Sequence, residues 1–441
     1  MSNEVVMESA RTLHGQLQRG LGRAARRAAD RPGSGEYVYD CIRRDPRWDP
    51  QCESRGLYYA RLLVDLELPA GPVAEHLFHP SDHVDDDPWR VQLALEVLSD
   101  LVRLSRREAA APLRRYAEEG SHWYDALVEL IELGDPALTL GLDDVVASRC
   151  DDADLAQLVP SDPNPVIDAW AVRQPRIAEA LERSRERARD NARYREAARA
   201  AGLPGRPART GGPRASSGDG SGLAARSDGE LLDVARRRGP DSVGAIFELG
   251  RRRTLALLDL AEELLPERPG RFGGAVCRAL AQYGPETLPR ARAWAAAKGG
   301  CEDMGLRILA RHGTRQDIPL LMDELRETVE KREWGGAASP AEGLGRLRAG
   351  EAVPLLKTAW TESTYAYLRP RVLTALTRTA PHTAESYAVE GLWDCEADVR
   401  EEAARFAPHT RDTRLRLQRL HHDVAEDPEV ARIAPSFITA R

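Results

Sequence analysis

Lysine, aromatic residues, paired cysteines and long apolar runs are all scarce in this chain, and each shortage narrows what it is. Only Lys298, Lys331 and Lys357 are lysines, so arginine carries the rest of the 63 positive side chains. That bias resembles the usage of high-GC bacterial proteins, and it makes arginine density by itself a poor sign of function. Aromatics make up 5% of the 441 residues. Strand formers are correspondingly thin, whereas Ala, Leu, Arg and Glu, the strong helix formers, dominate. The composition predicts an all-α chain. Cys41, Cys52, Cys150, Cys277, Cys301 and Cys395 include no C-x-x-C pair and read as small buried hydrophobes in a reducing compartment. No stretch approaches the roughly 18 apolar residues a membrane span needs. The opening MSNEVVMESARTLHG has early acids and no apolar core, so no secretory signal is expected. The expectation is a cytoplasmic protein with no membrane contact.

At 441 residues the chain exceeds the roughly 250–300 residues at which one core stops growing. Two bodies, or one elongated one, are expected. The net charge of −7 is unevenly spread: residues 40–165 hold 26 acids against 12 bases, whereas 166–230 is basic. Such asymmetry suggests separate surfaces for separate partners. Residues 203–229, LPGRPARTGGPRASSGDGSGLAARSDG, have almost nothing to bury and read as a disordered linker. It divides an N-terminal helical region, 1–202, from a C-terminal one, 230–441. Residues 173–201 form one long charged helix with a narrow apolar stripe that includes Ile177, Ala180 and Leu181. Mixed-sign charge along its face lets it stand in solvent without a partner.

The C-terminal region repeats. Gly284-Pro285-Glu286-Thr287-Leu288-Pro289, Arg315-Gln316-Asp317-Ile318-Pro319-Leu320-Leu321 and Gly350-Glu351-Ala352-Val353-Pro354-Leu355-Leu356 share one shape. In each, a proline sits just inside the start of a helix, two or three residues after an acid. Proline has no N–H to lose in the first turn, and an acid favours the positive end of the helix dipole. A second motif alternates with this one. Tyr367-Leu368-Arg369-Pro370-Arg371-Val372-Leu373-Thr374-Ala375-Leu376 aligns with Asp398-Val399-Arg400-Glu401-Glu402-Ala403-Ala404-Arg405-Phe406, and 303–310 is a looser copy. The prolines recur every 30 to 35 residues or so, inside the range of helix-pair repeats.

The alternation of D-x-V-R-x-x-A-A with G-x-x-x-A-V-P-L-L resembles HEAT repeats, particularly the short bacterial kind also found in phycobilin-lyase-like proteins. The resemblance is clear over about 280–408 and weaker over 230–280. It implies an α-solenoid of stacked antiparallel helix pairs (HEAT/armadillo-like), in two segments joined by the linker. The N-terminal region then reads as the same architecture with eroded repeats, ending in the charged helix. In that family the second helix of each pair lines the concave face. The helices starting at Pro289, Pro319 and Pro354 therefore become the candidate binding surface, with Trp294, Arg326, Trp360 and Tyr365 as anchors, since Trp, Tyr and Arg dominate interface hot spots.

Chemistry-bearing constellations are few. Residues 75–87 gather His76, His79 and His83 with Asp82, Asp85, Asp86 and Asp87, nitrogen and oxygen donors that suit a borderline metal. Pro80 breaks the helix there, and no H-E-x-x-H order appears, so an acidic loop capping the helix from Trp89 is the plainer reading. Likewise His421-His422-Asp423 reads as a solvated helix face. Ser121 reads as the cap of a helix carrying Trp123 and Tyr124. There is no G-x-S-x-G, P-loop or G-x-G-x-x-G context.

Two expectations follow. The first is a non-enzymatic scaffold or adaptor that binds a protein or peptide on a concave surface, with no cofactor and no metal. The second is a nucleic-acid binder using Arg183 to Arg199, the linker's Arg206, Arg209 and Arg214, and the triplets 236–238 and 251–253. Some HEAT-like bacterial proteins are glycosylases for alkylated DNA bases, and Trp294, Trp334, Trp360 and Trp393 are candidates to line such a face. The acids interleaved at Glu182, Glu186, Asp190 and Glu196, and the negative net charge, weigh against that reading.

Overall fold

The computed structural model describes residues 6–80, 89–200, 221–266 and 271–438. Among them there are α-helices and short 3-10 turns and no strand. The first twelve helices are α1 (Leu13–Gln18), α2 (Gly22–Ala28), α3 (Ser34–Arg44), α4 (Gly56–Asp65), α5 (Gly71–Leu77), α6 (Trp89–Arg103), α7 (Ala110–Glu119), α8 (Trp123–Glu132), α9 (Leu142–Arg149), α10 (Asp152–Leu158), α11 (Pro165–Arg173) and α12 (Pro175–Ala200). Next come α13 (Ser221–Ala224), α14 (Asp228–Arg236), α15 (Ser242–Arg252), α16 (Ala256–Leu264), α17 (Arg271–Leu280), α18 (Leu288–Ala297), α19 (Glu302–His312), α20 (Ile318–Lys331), α21 (Ala338–Arg346), α22 (Val353–Glu362) and α23 (Arg369–Thr379). Helices α24 (Pro381–Gly391), α25 (Ala397–Phe406), α26 (Arg411–His422) and α27 (Pro428–Ile438) complete the chain.

These helices begin where local chemistry directs. Each of the three repeated proline segments enters its helix through one 3-10 turn, 285–287, 315–317 and 350–352, with Pro289, Pro319 and Pro354 in the first helical turn. Pro370 opens α23 in the same way. Thr314 and Asp317 form a reciprocal capping box, as do Ser227 and Glu230 before α14 and Asp151 and Asp154 before α10. Each box satisfies two backbone N–H groups that a helix start otherwise leaves open.

The chain forms two compact units. One contains residues 1–209 and 389–441; the other contains 210–388. This division differs from the expected break at 203–229, which assigns all of 230–441 to one body. Residues 389–441 instead pack on the N-terminal helices. Cys395 N–H donates to the Gly20 carbonyl at 3.0 Å, Arg23 pairs with Glu390 at 2.8 Å, and Arg61 pairs with Asp423 at 2.6 Å. Gly22 lies so near the Glu390 carbonyl that a β-carbon there would overlap it at 2.0 Å. Only the 221–229 part of the expected linker is described, and it is not wholly irregular: α13 and the Ser227 cap of α14 lie within it.

In the unit 210–388, α15 packs on α17, α19 on α21 and α21 on α23, while α18 pairs with α19, α20 with α21 and α22 with α23. Small residues set these approaches. A β-carbon on Gly250 would sit 2.7 Å from Ala279 Cβ, one on Gly343 2.9 Å from Ala310 Cα, and one on Gly345 2.6 Å from Ala375 Cα. Charged pairs bridge elements 27 to 31 residues apart: Arg236–Glu263, Arg290–Asp259, Arg290–Glu262, Lys298–Glu327 and Arg371–Glu342. At the exposures seen here each such pair is worth about 0–1 kcal/mol. The apolar contacts beneath, with Leu321, Leu325, Leu344, Leu356, Val372 and Leu373 fully buried, carry more, roughly 1.5–3 kcal/mol per side chain.

Candidate functional site

The four expected anchors do not form one site. Trp360, on α22, has no exposed surface and packs edge-to-face on Tyr387 with centroids 5.7 Å apart. Trp294, on α18, is buried, and its indole N–H donates to Glu262 Oε1 at 2.6 Å. Both are core residues; burial removes them from any groove. Arg326 is exposed on α20 and pairs with Asp323 one turn away at 2.6 Å. Tyr365 is half-buried beyond α22, its ring stacked on Tyr367. Trp334 is also buried, so it lines no nucleic-acid face.

Most of the arginines that suggested nucleic acid are engaged within the fold. On α12, Arg183 pairs with Glu179, Arg193 with Asp190, and Arg185 with Glu182 and, at 2.8 Å, with Asp168 of α11. Of the two triplets, Arg236 pairs with Glu263, Arg251 with Glu248, and Arg252 with both Glu248 and Asp228. The hydrogen bond from Arg251, joined by that from Arg252, holds the Glu248 carboxyl down to about 2 against its partial burial. Further arginines reach back to carbonyls at the ends of preceding helices. Arg149 donates to Glu118 O, Arg176 to Ala147 O and Cys150 O, Arg252 to Ala224 O and Arg226 O, Arg311 to Ala281 O, and Arg346 to Ala310 O and Gly313 O. These are the carbonyls a helix end leaves unbonded, so the guanidiniums serve as C-terminal caps from the next layer. Arg206, Arg209 and Arg214 lie outside the described residues.

The histidine-rich segment is only partly described. His76 Nε2 lies 3.0 Å from the Arg90 carbonyl, and burial pushes its pKa down. Asp82, His83 and Asp85 to Asp87 lie outside the described residues. Among the described residues no group of three or more His, Cys, Asp or Glu side chains is placed to hold a metal. Trp123 begins α8 beneath the Arg149 guanidinium, 5.4 Å from the ring centroid, and His421 Nδ1 contacts the Ala431 carbonyl.

Three clusters escaped the sequence reading, because each joins residues distant in sequence. The first is an open cavity of about 360 Å³ between α1 and α3, lined by Val6, Glu8, His14, Glu36, Tyr37, Asp40, Arg43 and Arg44. There His14 stacks on Tyr37 (5.0 Å, 15°), His14 Nε2 lies 3.0 Å from Asp40 without hydrogen-bond geometry, and Arg44 Nε pairs with Asp40 at 2.8 Å. Among the described residues no serine or cysteine lines it.

The second cluster is acidic and lies on α6 and α8. Burial pushes the Glu96 carboxyl up to about 7 despite its 2.7 Å pair with Arg47, Asp100 up to about 6 despite Arg103, and Glu129 up to about 8.

The third joins the chain's two ends. Glu426 accepts from Arg400 Nη2 at 2.6 Å and from Arg61 Nη2 at 3.0 Å, with all three side chains largely buried. Nearby, Trp393 lies under both Arg26 and Arg416, each 5.1 Å from the ring centroid.

No protein-family model matches the chain, and neither does a curated protein or a solved structure. Among the described residues, no helix is long and apolar enough to cross a membrane.

Proposed function

We propose that the protein is a non-enzymatic scaffold or adaptor, a HEAT-like α-solenoid that holds a protein or peptide segment on the concave face of residues 228–379. The observation that carries this reading is the spacing of one helix row. Helices α15 and α17 approach through Gly250 and Ala279, α19 and α21 through Ala310 and Gly343, and α21 and α23 through Gly345 and Ala375. In a curved stack, the row whose helices come closest lies on the inside of the curve, and that inner face is the surface such proteins offer to partners. This shifts the binding surface from the helices at Pro289, Pro319 and Pro354 to the alternate row.

The exposed side chains of that inner row include Arg278, Arg307, Arg311, Arg346 and Arg378. Arg311 and Arg346 are tied to carbonyls, whereas Arg278, Arg307 and Arg378 make no ion pair among the described residues. A face of this kind suits an acidic segment. Rim charges of this sort act chiefly on association rate and partner choice.

The test is affinity capture of the tagged full-length protein with and without nuclease, in parallel with the Arg307→Glu/Arg378→Glu variant. A stoichiometric protein that survives nuclease and is lost with the variant is the expected result. A nucleic acid counts as a second reading because of these same unpaired arginines. Capture that disappears with nuclease, and DNA affinity that falls steeply with salt, would replace the adaptor reading with that one.

A further inference from the structure

The open cavity of about 360 Å³ between α1 and α3 is walled by one stripe of α3. Glu36, Tyr37, Asp40, Arg43 and Arg44 recur there at steps of three and four residues, the spacing that puts side chains on one helix face. Helix α1 supplies His14, which stacks on Tyr37 yet leaves that residue 39% exposed. Glu8 also lines the cavity. Its backbone is tied at two points: its N–H donates to Gln18 Oε1 at 2.7 Å, and its carbonyl accepts from Arg19 Nη1 at 2.8 Å.

The charges that line this space do not all cancel. Asp40 and Arg44 pair with each other at 2.8 Å. Glu8, Glu36 and Arg43 make no ion pair among the described residues. Helix geometry keeps the last two apart. Seven residues of rise set Glu36 and Arg43 about 10 Å from each other along the axis of α3, with Tyr37 between them on the stripe. The cavity therefore offers two free carboxylates, one free guanidinium and a partly exposed aromatic ring around a single space.

We propose that this cavity binds a free basic α-amino acid, of the arginine or lysine type. Such a molecule carries two cationic groups and one carboxylate, the complement of the two acids and one guanidinium left unpaired here. Its carboxylate fits the planar fork of Arg43, which matches a carboxylate with two parallel N–H donors. Glu8 and Glu36 accept from its two cationic groups. Its stem of about three or four methylenes lets its charged ends spread along the stripe and packs on the Tyr37 ring, as long basic side chains do on apolar surface. A simple carboxylic acid would leave Glu8 and Glu36 unmet, and a simple amine would leave Arg43 unmet. The volume stands at the small end of the roughly 300–1,000 Å³ of small-molecule sites, as a ligand of this size requires.

The experiment titrates the full-length protein with L-arginine, agmatine, L-citrulline and glycyl-L-arginine at constant pH and ionic strength, read by calorimetry and by the melting temperature. One-to-one binding of L-arginine is expected, with the rise in melting temperature that a ligand of the folded state produces. Agmatine lacks the carboxylate and citrulline the distal charge, and each should bind about five- to tenfold more weakly, the worth of one charge-assisted contact. Glycyl-L-arginine, whose ammonium is displaced by one residue, should also bind more weakly. Arg43 and Glu36 are exposed, so their variants should keep the fold. Arg43→Gln should bind arginine and agmatine equally, because the group that tells them apart is gone. Glu36→Gln should weaken L-arginine by about five- to tenfold. The proposal is overturned if L-arginine gives no saturable heat, if agmatine or glycyl-L-arginine binds as tightly, or if Arg43→Gln keeps the parent protein's preference for arginine over agmatine.

Discussion

Gly345 on α21 and Ala375 on α23 meet backbone to backbone, and a β-carbon at position 345 would lie 2.6 Å from the Ala375 Cα. Within a helix, replacing glycine by alanine ordinarily gains up to about 1 kcal/mol. Here the added methyl collides with main chain, which cannot swing aside. Gly345→Ala should therefore destabilise the protein by about 1–3 kcal/mol, the usual cost of forcing atoms into a filled space. Gly274, on α17, has nothing within 4 Å of its β-carbon position, so Gly274→Ala should stabilise by roughly 0.5–1 kcal/mol. Urea unfolding of the pair separates the two signs. If both variants gain stability, α21 and α23 are not in backbone contact.

Trp360 fills space that no partner reaches. Its side chain is fully buried against Tyr387, and Trp360→Ala should cost about 3–5 kcal/mol by leaving a cavity. The measurement is the urea midpoint of the variant, followed by its capture of the partner at a temperature where it remains folded. A variant that melts like the parent protein while losing its partner would return Trp360 to the binding surface.

What was legible in the sequence is what local chemistry decides. Pro289, Pro319 and Pro354 marked helix starts because a missing N–H matters only there. The crowding of Leu93, Leu95, Val97, Leu98, Leu101 and Leu104 in one short stretch reads as a buried helix, and all of them but the half-buried Leu104 are buried. The return of residues 389–441 to the N-terminal helices was not legible. It rests on pairs such as Arg61 with Asp423, 362 residues apart, and a single sequence carries no record of such pairing. The tryptophans misled for another reason: hot spots and cores both favour large aromatic side chains, and only burial separates the two.

Glu426 holds the junction of the chain's ends. Burial opposes its charge, but Arg400, and after it Arg61, outweighs burial and keeps the carboxyl down to about 2. In the unfolded chain the group returns to its ordinary value near 4.3. Its contribution to stability is therefore complete above about pH 4.5 and is lost as the pH falls towards 2. Glu426→Gln leaves buried guanidiniums without their shared anion and should cost about 3–5 kcal/mol at neutral pH. Acid titration of stability provides the check. The parent protein should lose stability between about pH 4.5 and 2 faster than the variant. Parallel acid limbs would mean that Glu426 is solvated and that the junction is held by apolar contacts alone.

Glu129 carries the opposite sign. Burial, reinforced by the neighbouring carboxylates Glu96, Glu132 and Asp100 and opposed by Ser99, pushes its carboxyl up to about 8. Glu96 and Asp100 are pushed up as well, to about 7 and about 6. An acid whose pKa is raised on folding binds its proton more tightly in the folded state. Its contribution is thus present below its unfolded value of about 4.3 and is lost as the pH rises through the folded value. The three carboxyls together should make the protein lose stability steadily from about pH 5 to about pH 8. Glu129→Gln keeps the shape of the side chain and removes the charge that burial penalises. It should be more stable than the parent protein at about pH 9, by at least about 1 kcal/mol, with a smaller difference at about pH 5. Urea midpoints at the two pH values, at fixed ionic strength, decide the matter. A variant less stable than the parent protein at about pH 9 would show that the ionised carboxylate has a cationic partner, and that the α6–α8 cluster is a balanced network rather than a store of unmet negative charge.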